Sequence, residues 1–363
     1  MEVESTARIE AEAGPEDTEV AGRRGKRMIP RLLRLALLAT LLMGGAWAAA
    51  EPLVIAHRGV SGYLPEHSAA SKVLAHAMGV DYIEQDVVLS RDRVPVVFHD
   101  LTLDATTDVR LRFPERAADD GRYYVADFDW AELATLRIGP RIDVTSGERI
   151  YPTRYAGPRS LHPPVRLDDE LMLIAELNRL LDKDIGVYVE LKRPAWHRAR
   201  GLDISRAVLA VMTAHGYTGR THRAFLQTFD FEELRRLRID LGSELRLIQL
   251  IGENDWDESP TDYDWLRSEV GVAVMAAVAD GVGAWMPQLV DDALHPSAFR
   301  QRLRDRQLPV HVYTLRADVL PPQVADFETL IRIYVDAVGV EGIFTDQPDR
   351  VLRYLGRQPG SAE

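Results

Sequence analysis

The chain has 363 residues, 46% hydrophobic and 28% charged, a balance that belongs to a folded globular protein and excludes collagen-like or disordered chains. Its 56 acidic residues outnumber 44 basic ones, and the formal net charge of −12 argues against nucleic acid as a partner, which would need a basic face. Cysteine is absent, so disulfides, thiolate metal sites, Cys nucleophiles and lipidated-Cys anchors are excluded.

From Met1 to Gly22 the chain is polar and acidic, without apolar periodicity. Arg23, Arg24, Lys26, Arg27, Arg31 and Arg34 follow, then an apolar run over 35–43 and the stretch Gly44-Gly45-Ala46-Trp47-Ala48-Ala49-Ala50. A basic flank, a short apolar core and an A-x-A site describe a secretory signal peptide. The alternative is a membrane anchor, but the strongly apolar part is well short of the roughly 20 residues a spanning helix needs. Residues 1–50 are therefore expected to be an N-terminal extension and signal peptide. The mature chain would be periplasmic or secreted, with no stable membrane anchor. Residues 1–50 hold seven acids and seven bases, so the mature part keeps the whole negative charge.

After Ala50, β-rich runs alternate with stretches of helical apolar spacing. The runs fall at 53–56, 82–89, 94–98, 187–191, 224–228, 245–251, 283–287, 310–314 and 342–344. The helical spacing falls at 68–78, 204–215, 231–241, 263–279 and 327–338. Repeated β-then-α predicts a parallel sheet of class α/β, and about eight units would close it into a (β/α)8 TIM barrel. A doubly wound open sheet is the alternative, but no G-x-G-x-x-G follows the first run. The rhythm breaks between Leu101 and Pro164, a stretch rich in Asp, Arg, Tyr and Pro and too long for an ordinary connection. It is expected to be an inserted subdomain between early strands, partly helical around 130–136, beside the active-site face. Barrel and insertion would span 51–355, with a C-terminal tail at 356–363.

In a barrel, chemistry sits where strands end and βα loops begin. In chain order those ends are His57-Arg58-Gly59 with Glu66 in the following loop, Glu84-Gln85-Asp86, and His99-Asp100. Glu190-Leu191-Lys192, Gln227, and His311, Tyr313 and Arg316 come later. Glu84 and Asp86 are two apart on a strand and share one face. Two carboxylates amid Ile83, Val87 and Val88 are costly unless something positive joins them. That is either a hard cation shared with Glu190, Ca2+ or Mg2+, or paired Lys and Arg side chains. A lone histidine at a strand end is more often structural. His57 and His99, at two ends of one barrel beside clustered acids, point instead to acid–base chemistry. Arg58 and Lys192 add fixed positive charge suited to phosphate oxygens, or else serve as ion-pair partners of Glu84 and Glu190. The set points to phosphoryl chemistry.

The string His57-Arg58-Gly59-Val60-Ser61-Gly62-Tyr63-Leu64-Pro65-Glu66-His67-Ser68, then Glu84-Gln85-Asp86 and His99-Asp100, closely resembles glycerophosphodiester phosphodiesterases. Glu190-Leu191-Lys192, Val310-His311-Val312-Tyr313-Thr314 and Gly342-Ile343-Phe344-Thr345-Asp346-Gln347-Pro348-Asp349 match as well. Leu103-Asp104-Ala105-Thr106-Thr107-Asp108-Val109, with Arg112-Phe113-Pro114 and Asp120-Gly121-Arg122-Tyr123-Tyr124, is similar to the periplasmic, secreted bacterial branch. The resemblance covers 53–352. It implies Glu84, Asp86 and Glu190 as metal ligands, His57 and His99 as the general acid/base pair, and Arg58 and Lys192 as phosphate contacts. Tyr313 matches an aromatic position that packs against glycerol, where many relatives carry Trp. Asp100 would either orient His99 or cap the loop, and Glu66 would support either Arg58 or the substrate. Arg91-Asp92-Arg93 departs from the Gly-bearing turn of many relatives, at no catalytic position.

The implied activity is metal-dependent hydrolysis of glycerophosphodiesters, such as glycerophosphocholine and glycerophosphoethanolamine, to sn-glycerol 3-phosphate and an alcohol through a cyclic phosphate. Ca2+ is favoured over Mg2+ because it tolerates irregular oxygen coordination and is available outside the cell. The rivals are a sphingomyelinase-D-like or phosphoinositide-type lipase on the same barrel, and a non-catalytic surface binding protein. A lipase would favour an apolar or basic rim; a binding protein would have no need of the acid, histidine and cation set.

Overall fold

The computed structural model describes residues 51–358; the predicted extension and signal peptide at 1–50, and 359–363 of the tail, lie outside the described residues. The strands are β1 (Leu53–Ala56), β2 (Tyr82–Leu89), β3 (Pro95–Val97), β4 (Val165–Arg166) and β5 (Gly186–Leu191). They continue with β6 (Ala224–Thr228), β7 (Arg246–Ile251), β8 (Gly281–Trp285), β9 (Val310–Leu315) and β10 (Gly342–Thr345). Eight of them pair in parallel in the order β1-β2-β5-β6-β7-β8-β9-β10, and β10 returns to β1, closing the expected (β/α)8 barrel.

The run at 94–98 departs from the expected pattern. β3 folds back antiparallel on the end of β2, with Val88 opposite Val96, and β4 continues antiparallel beside β3. The Ser90 N–H donates to the Val94 carbonyl, the Val94 N–H to the Ser90 hydroxyl oxygen and the Arg93 N–H to the Ser90 carbonyl; with Arg93 left-handed at φ 65, these bonds make the tight turn. This run is a hairpin arm outside the barrel; a short apolar run reads the same in either setting. Between β3 and β4 the insertion has its own small core of Leu103, Val109, Tyr123, Val125, Phe128, Leu133 and Leu136, seated on Val88, Val96 and Phe98. Its helix is shorter than predicted, Trp130–Leu133, opened by a capping box of Asp129 and Glu132.

Other boundaries moved for local reasons. The stretch at 263–279 is two helices, Tyr263–Leu266 and Glu269–Met275, because the Ser268 side chain accepts the Gly271 N–H and caps a new start. The stretch at 327–338 becomes a π-turn after Arg332. The run at 283–287 ends as a strand at Trp285, with Pro287 in a 3-10 turn. The helix at Leu167–Leu181 gave no clear stripe, since Leu167, Leu171 and Ile174 are buried while Met172, Leu180 and Leu181 face water.

Strand periodicity builds the site. Outward side chains such as Ile83, Val87, Val187, Val189, Leu226 and Val312 join the main core beneath the helices. Inward ones, Ile55, Tyr82, Tyr188, Phe225, Ile248 and Phe344, form an apolar floor inside the barrel. Two residues further along the same strands, the inward positions turn polar: His57, Glu84, Glu190, Gln227 and Asp346. Each buried floor side chain contributes about 1.5–3 kcal/mol, so the floor anchors the polar layer above it.

Candidate active site

β1 ends in a left-handed turn at Arg58 (φ 55) and Gly59 (φ 83), and a Cβ on Gly59 would collide with Ser71, so the turn requires glycine there. The turn aims the Arg58 backbone N–H at a Glu84 carboxylate oxygen. It also brings the guanidinium to Asp86 (Nε to Oδ2, 3.4 Å) and to Glu66 (Nη1 to Oε1, 3.0 Å). Glu66 therefore supports Arg58. Strand register does the rest: Asp86 lies opposite Glu190 across β2 and β5, and Glu190 opposite Gln227 across β5 and β6. His57, Arg58, Glu84, Asp86, His99, Glu190, Lys192 and Tyr313 all line one pocket of about 230 Å³, with Phe229, Trp256, Glu258 and Trp285 completing its wall. Tyr313 donates its hydroxyl to the Ile251 carbonyl and stands edge-on to Phe229, ring centres 6.0 Å apart, so its ring is held in place.

Each histidine has an aspartate behind it. His57 Nδ1 lies 2.6 Å from Asp346 Oδ1, and His99 Nδ1 hydrogen-bonds Asp100 Oδ1. An ionised carboxylate only accepts, so each Nδ1 carries the proton and each Nε2 is the acceptor nitrogen. His99 Nε2 is 3.4 Å from Lys192 Nζ, a donor, which agrees. Burial lowers the His57 pKa to about 4, with Arg58 adding to the drop and Asp346 opposing it. Burial, then Arg58 and Lys192, lowers His99, against Asp86 and Asp100.

The acids form a coupled group. Burial raises Glu84 well above the carboxylate range, Asp86 and Glu190 raise it further, and Lys72 and Arg58 pull it back. Asp86 goes the other way: burial would raise it, but His99, Lys192 and the hydrogen bond from His67 hold it well below its usual value. Among the described residues, His67, Glu84 and Asp86 offer ligand atoms within 4.8 Å of one another, a possible metal site. Both nitrogens of His67 are already engaged, Nε2 with Asp86 Oδ2 at 2.8 Å and Nδ1 with the Lys72 ammonium at 3.4 Å. An ammonium can only donate, so Nδ1 accepts, Nε2 donates, and His67 orients Asp86. What is left facing the pocket is an all-oxygen set of Glu84, Asp86 and Glu190, which fits a hard divalent cation. The ion-pair alternative is visible too, since Lys192 Nζ lies 2.7 Å from Glu190 Oε1.

The family model for glycerophosphoryl diester phosphodiesterases matches residues 57–350. The chain belongs to that family. The glycerophosphodiester phosphodiesterase of Haemophilus influenzae is 36% identical over 84% of this chain and 90% of its own length. A crystal structure assigned as a glycerophosphoryl diester phosphodiesterase, from Silicibacter pomeroyi, superposes with a TM-score of 0.65 at 26% identity, covering 85% of this chain and 96% of that one. An Oleispira antarctica phosphodiesterase, solved with the product sn-glycerol-3-phosphate, shares the fold at a TM-score of 0.57 and 20% identity, over 84% and 97% of the two chains. Within the glycerophosphoryl diester phosphodiesterase family, then, this is an enzyme, a hydrolase of glycerophosphodiesters.

Sequence reasoning assigned no role to several residues that stand behind this phosphodiesterase's pocket. Asp346 stands at the end of β10, where the strand-end rule would have flagged it. Arg141 and Arg154, which reach the two aspartates from the insertion, carry no local signal at all. Burial also shapes the response to pH. It lowers His57, His197 and His311 to about 4 and His67 to about 3, the last with help from Lys72. Their unfolded value is higher, so the stability they contribute is complete above about pH 6.5 and is lost as pH falls towards 4. His311 sits away from the acids, with Nδ1 2.8 Å from the Tyr188 hydroxyl. Replacing it, as His311→Gln, should flatten the fall by about 1.4 kcal/mol per pH unit between 6 and 4.5 in urea unfolding. An unchanged slope would mean that His311 is charged in the fold.

Proposed function

We propose that this chain is a secreted, metal-dependent phosphodiesterase that releases sn-glycerol 3-phosphate, with His57 and His99 as its acid–base pair. The observation that carries the reading is the meeting of two His–Asp pairs, three carboxylates, Arg58 and Lys192 on one pocket at the mouth of the barrel. The product bound by the Oleispira relative supports the same substrate half. Glu84, Asp86 and Glu190 would hold the cation, Ca2+ favoured over Mg2+. When bound, such an ion supplies positive charge to phosphate oxygens and glycerol hydroxyls.

The chain's own residues do the rest. Arg58 and Lys192 bind the phosphate, and Tyr313 packs the glycerol carbons. One histidine takes the proton of the glycerol hydroxyl on its free Nε2 as that oxygen attacks phosphorus, and the other, which enters the step protonated on both ring nitrogens, gives its Nε2 proton to the departing alkoxide. A cyclic phosphate results, which water opens with the two roles exchanged. Secretion is supported by the basic flank, apolar core and A-x-A site before Glu51. Among the described residues, no helix is long and apolar enough to cross a membrane. N-terminal sequencing of the exported protein should begin near Glu51; a mature chain that keeps residues 35–50 would remove the signal-peptide reading.

The leaving alcohol has room. A groove of about 710 Å³ adjoins the pocket at His99, Lys192 and Glu258 and runs between the insertion and the helix Pro194–Ala199. A groove this wide makes few obligatory contacts. Choline, ethanolamine, glycerol and serine diesters should therefore be cleaved with kcat/KM within about tenfold of one another, roughly 1.4 kcal/mol in transition-state binding. Loss of the glycerol hydroxyls should be far more severe, because the attacking group goes with them. A diester panel run against bis(p-nitrophenyl) phosphate checks both statements, and rapid cleavage of that compound would place recognition elsewhere.

A further inference from the structure

We propose that the insertion holds the aspartate partner of each candidate catalytic histidine, through Arg154 on Asp346 and Arg141 on Asp100, and so fixes which ring nitrogen carries the proton. The two connections have the same form. Asp346 uses Oδ1 for His57 Nδ1, and its Oδ2 accepts from Arg154 Nη2 at 2.7 Å and from Arg316 Nε at 2.9 Å. Asp100 uses Oδ1 for His99 Nδ1, and its Oδ2 accepts from Arg141 Nη1 at 2.7 Å. Arg141 also forks onto Glu66, Nε to Oε2 at 2.9 Å and Nη2 to Oε1 at 2.6 Å, and Glu66 in turn holds Arg58. One insertion residue thus reaches behind both His99 and Arg58.

These are not loose surface pairs. The Arg154 side chain is 10% exposed and Asp346 only 1%. Arg154 is itself clamped by both oxygens of Asp318, by the Ser61 carbonyl and by the Tyr151 ring 3.6 Å from its guanidinium carbon. A carboxylate with one oxygen taken by a guanidinium must offer the other in a set direction, which is how an outer partner orients a histidine. Arg141 and Arg154 are positioning residues: they act on the histidines through the aspartates.

The charges facing each ring give the sign. His57 meets Asp346 and Arg316 from the ends of β10 and β9, Arg58 beside it and Arg154 from the insertion. His99 meets Asp100 beside it, Asp86 from β2, Arg58 from β1, Lys192 from β5, Glu258 from the loop after β7, and Arg141 behind Asp100. Removing either arginine takes away positive charge and unmasks its aspartate, so the histidine in front should bind its proton more tightly.

Histidine ring NMR on the intact 15N-labelled enzyme tests this without depending on turnover, with resonances assigned through His57→Gln and His99→Gln. The wild type should show the Nδ1–H tautomer at both positions. Arg154→Gln should raise the His57 midpoint by about one pH unit and leave His99 in place, Arg141→Gln should do the reverse, and each should lower kcat/KM about 10–100-fold. Arg154→Lys and Arg141→Lys keep a charge but lose the fork; they should shift the same histidines less, and they serve if a Gln variant does not fold. Unchanged midpoints and tautomers in folded variants would overturn the proposal, even with activity lost, because the arginines would then be structural clamps only. The kinetic consequence rests on the acid–base reading of the histidines. Full turnover by His57→Gln would sink that reading while leaving the NMR outcome to be judged by itself.

Discussion

Glu84→Gln should abolish hydrolysis while leaving the barrel folded. Glu84 is buried, raised by Asp86 and Glu190, and tied at one oxygen to the Arg58 backbone, so its other oxygen has no stronger claim on it than a shared cation. The amide keeps size and hydrogen bonding, carries no charge for burial to penalise, and should leave the apo fold no less stable. It should also weaken cation binding, read directly by calorimetry on the intact protein. For the wild type, a chelator should remove activity and added Ca2+ should restore it. Full turnover in excess chelator would show that Lys192 and Arg58 alone balance the acids, the ion-pair alternative.

The histidines carry the second large effect. His57→Ala and His99→Ala should each cost on the order of 10²–10⁴ in rate, and the wild-type kcat/KM should be bell-shaped in pH. The sign of the His57 shift places its limb. A histidine that burial holds neutral down to about 4 stays competent as a base well below the usual 6.5, so the acid limb attributable to His57 should lie nearer 4. The double variant should lose less than the product of the single losses, because the two groups act as a unit. Near-wild-type turnover by either single variant would remove that histidine from the reaction.

What could be read from the chain alone follows from range. Strand period and strand ends are local, and they placed His57, Glu84, Asp86, His99, Glu190, Lys192 and Tyr313 at one barrel mouth. The β3 run was placed in the wrong setting because an apolar stretch does not say whether its neighbour is parallel or folded back. The partners of the site residues were hidden for another reason. Asp346, Arg141 and Arg154 meet their histidine–aspartate pairs only after the barrel has closed and the insertion has settled on it. His67 was hidden differently again, standing inside a visible motif but with a role set by Lys72 from the following helix.

His57 and Asp346 are separated by 289 residues, and β1 joins β10 to complete the sheet. The first functional side chain to be synthesised therefore waits for almost the last. Until the final strand docks, a growing or unfolded chain has a histidine with no orienting acid and a barrel with an open seam. Pairings of such long range form slowly, after many shorter ones. If His57 acts as proposed, chemistry switches on with the closing of the ring, and a chain cut short before β10 should be inert in a hydrolysis assay rather than partly active.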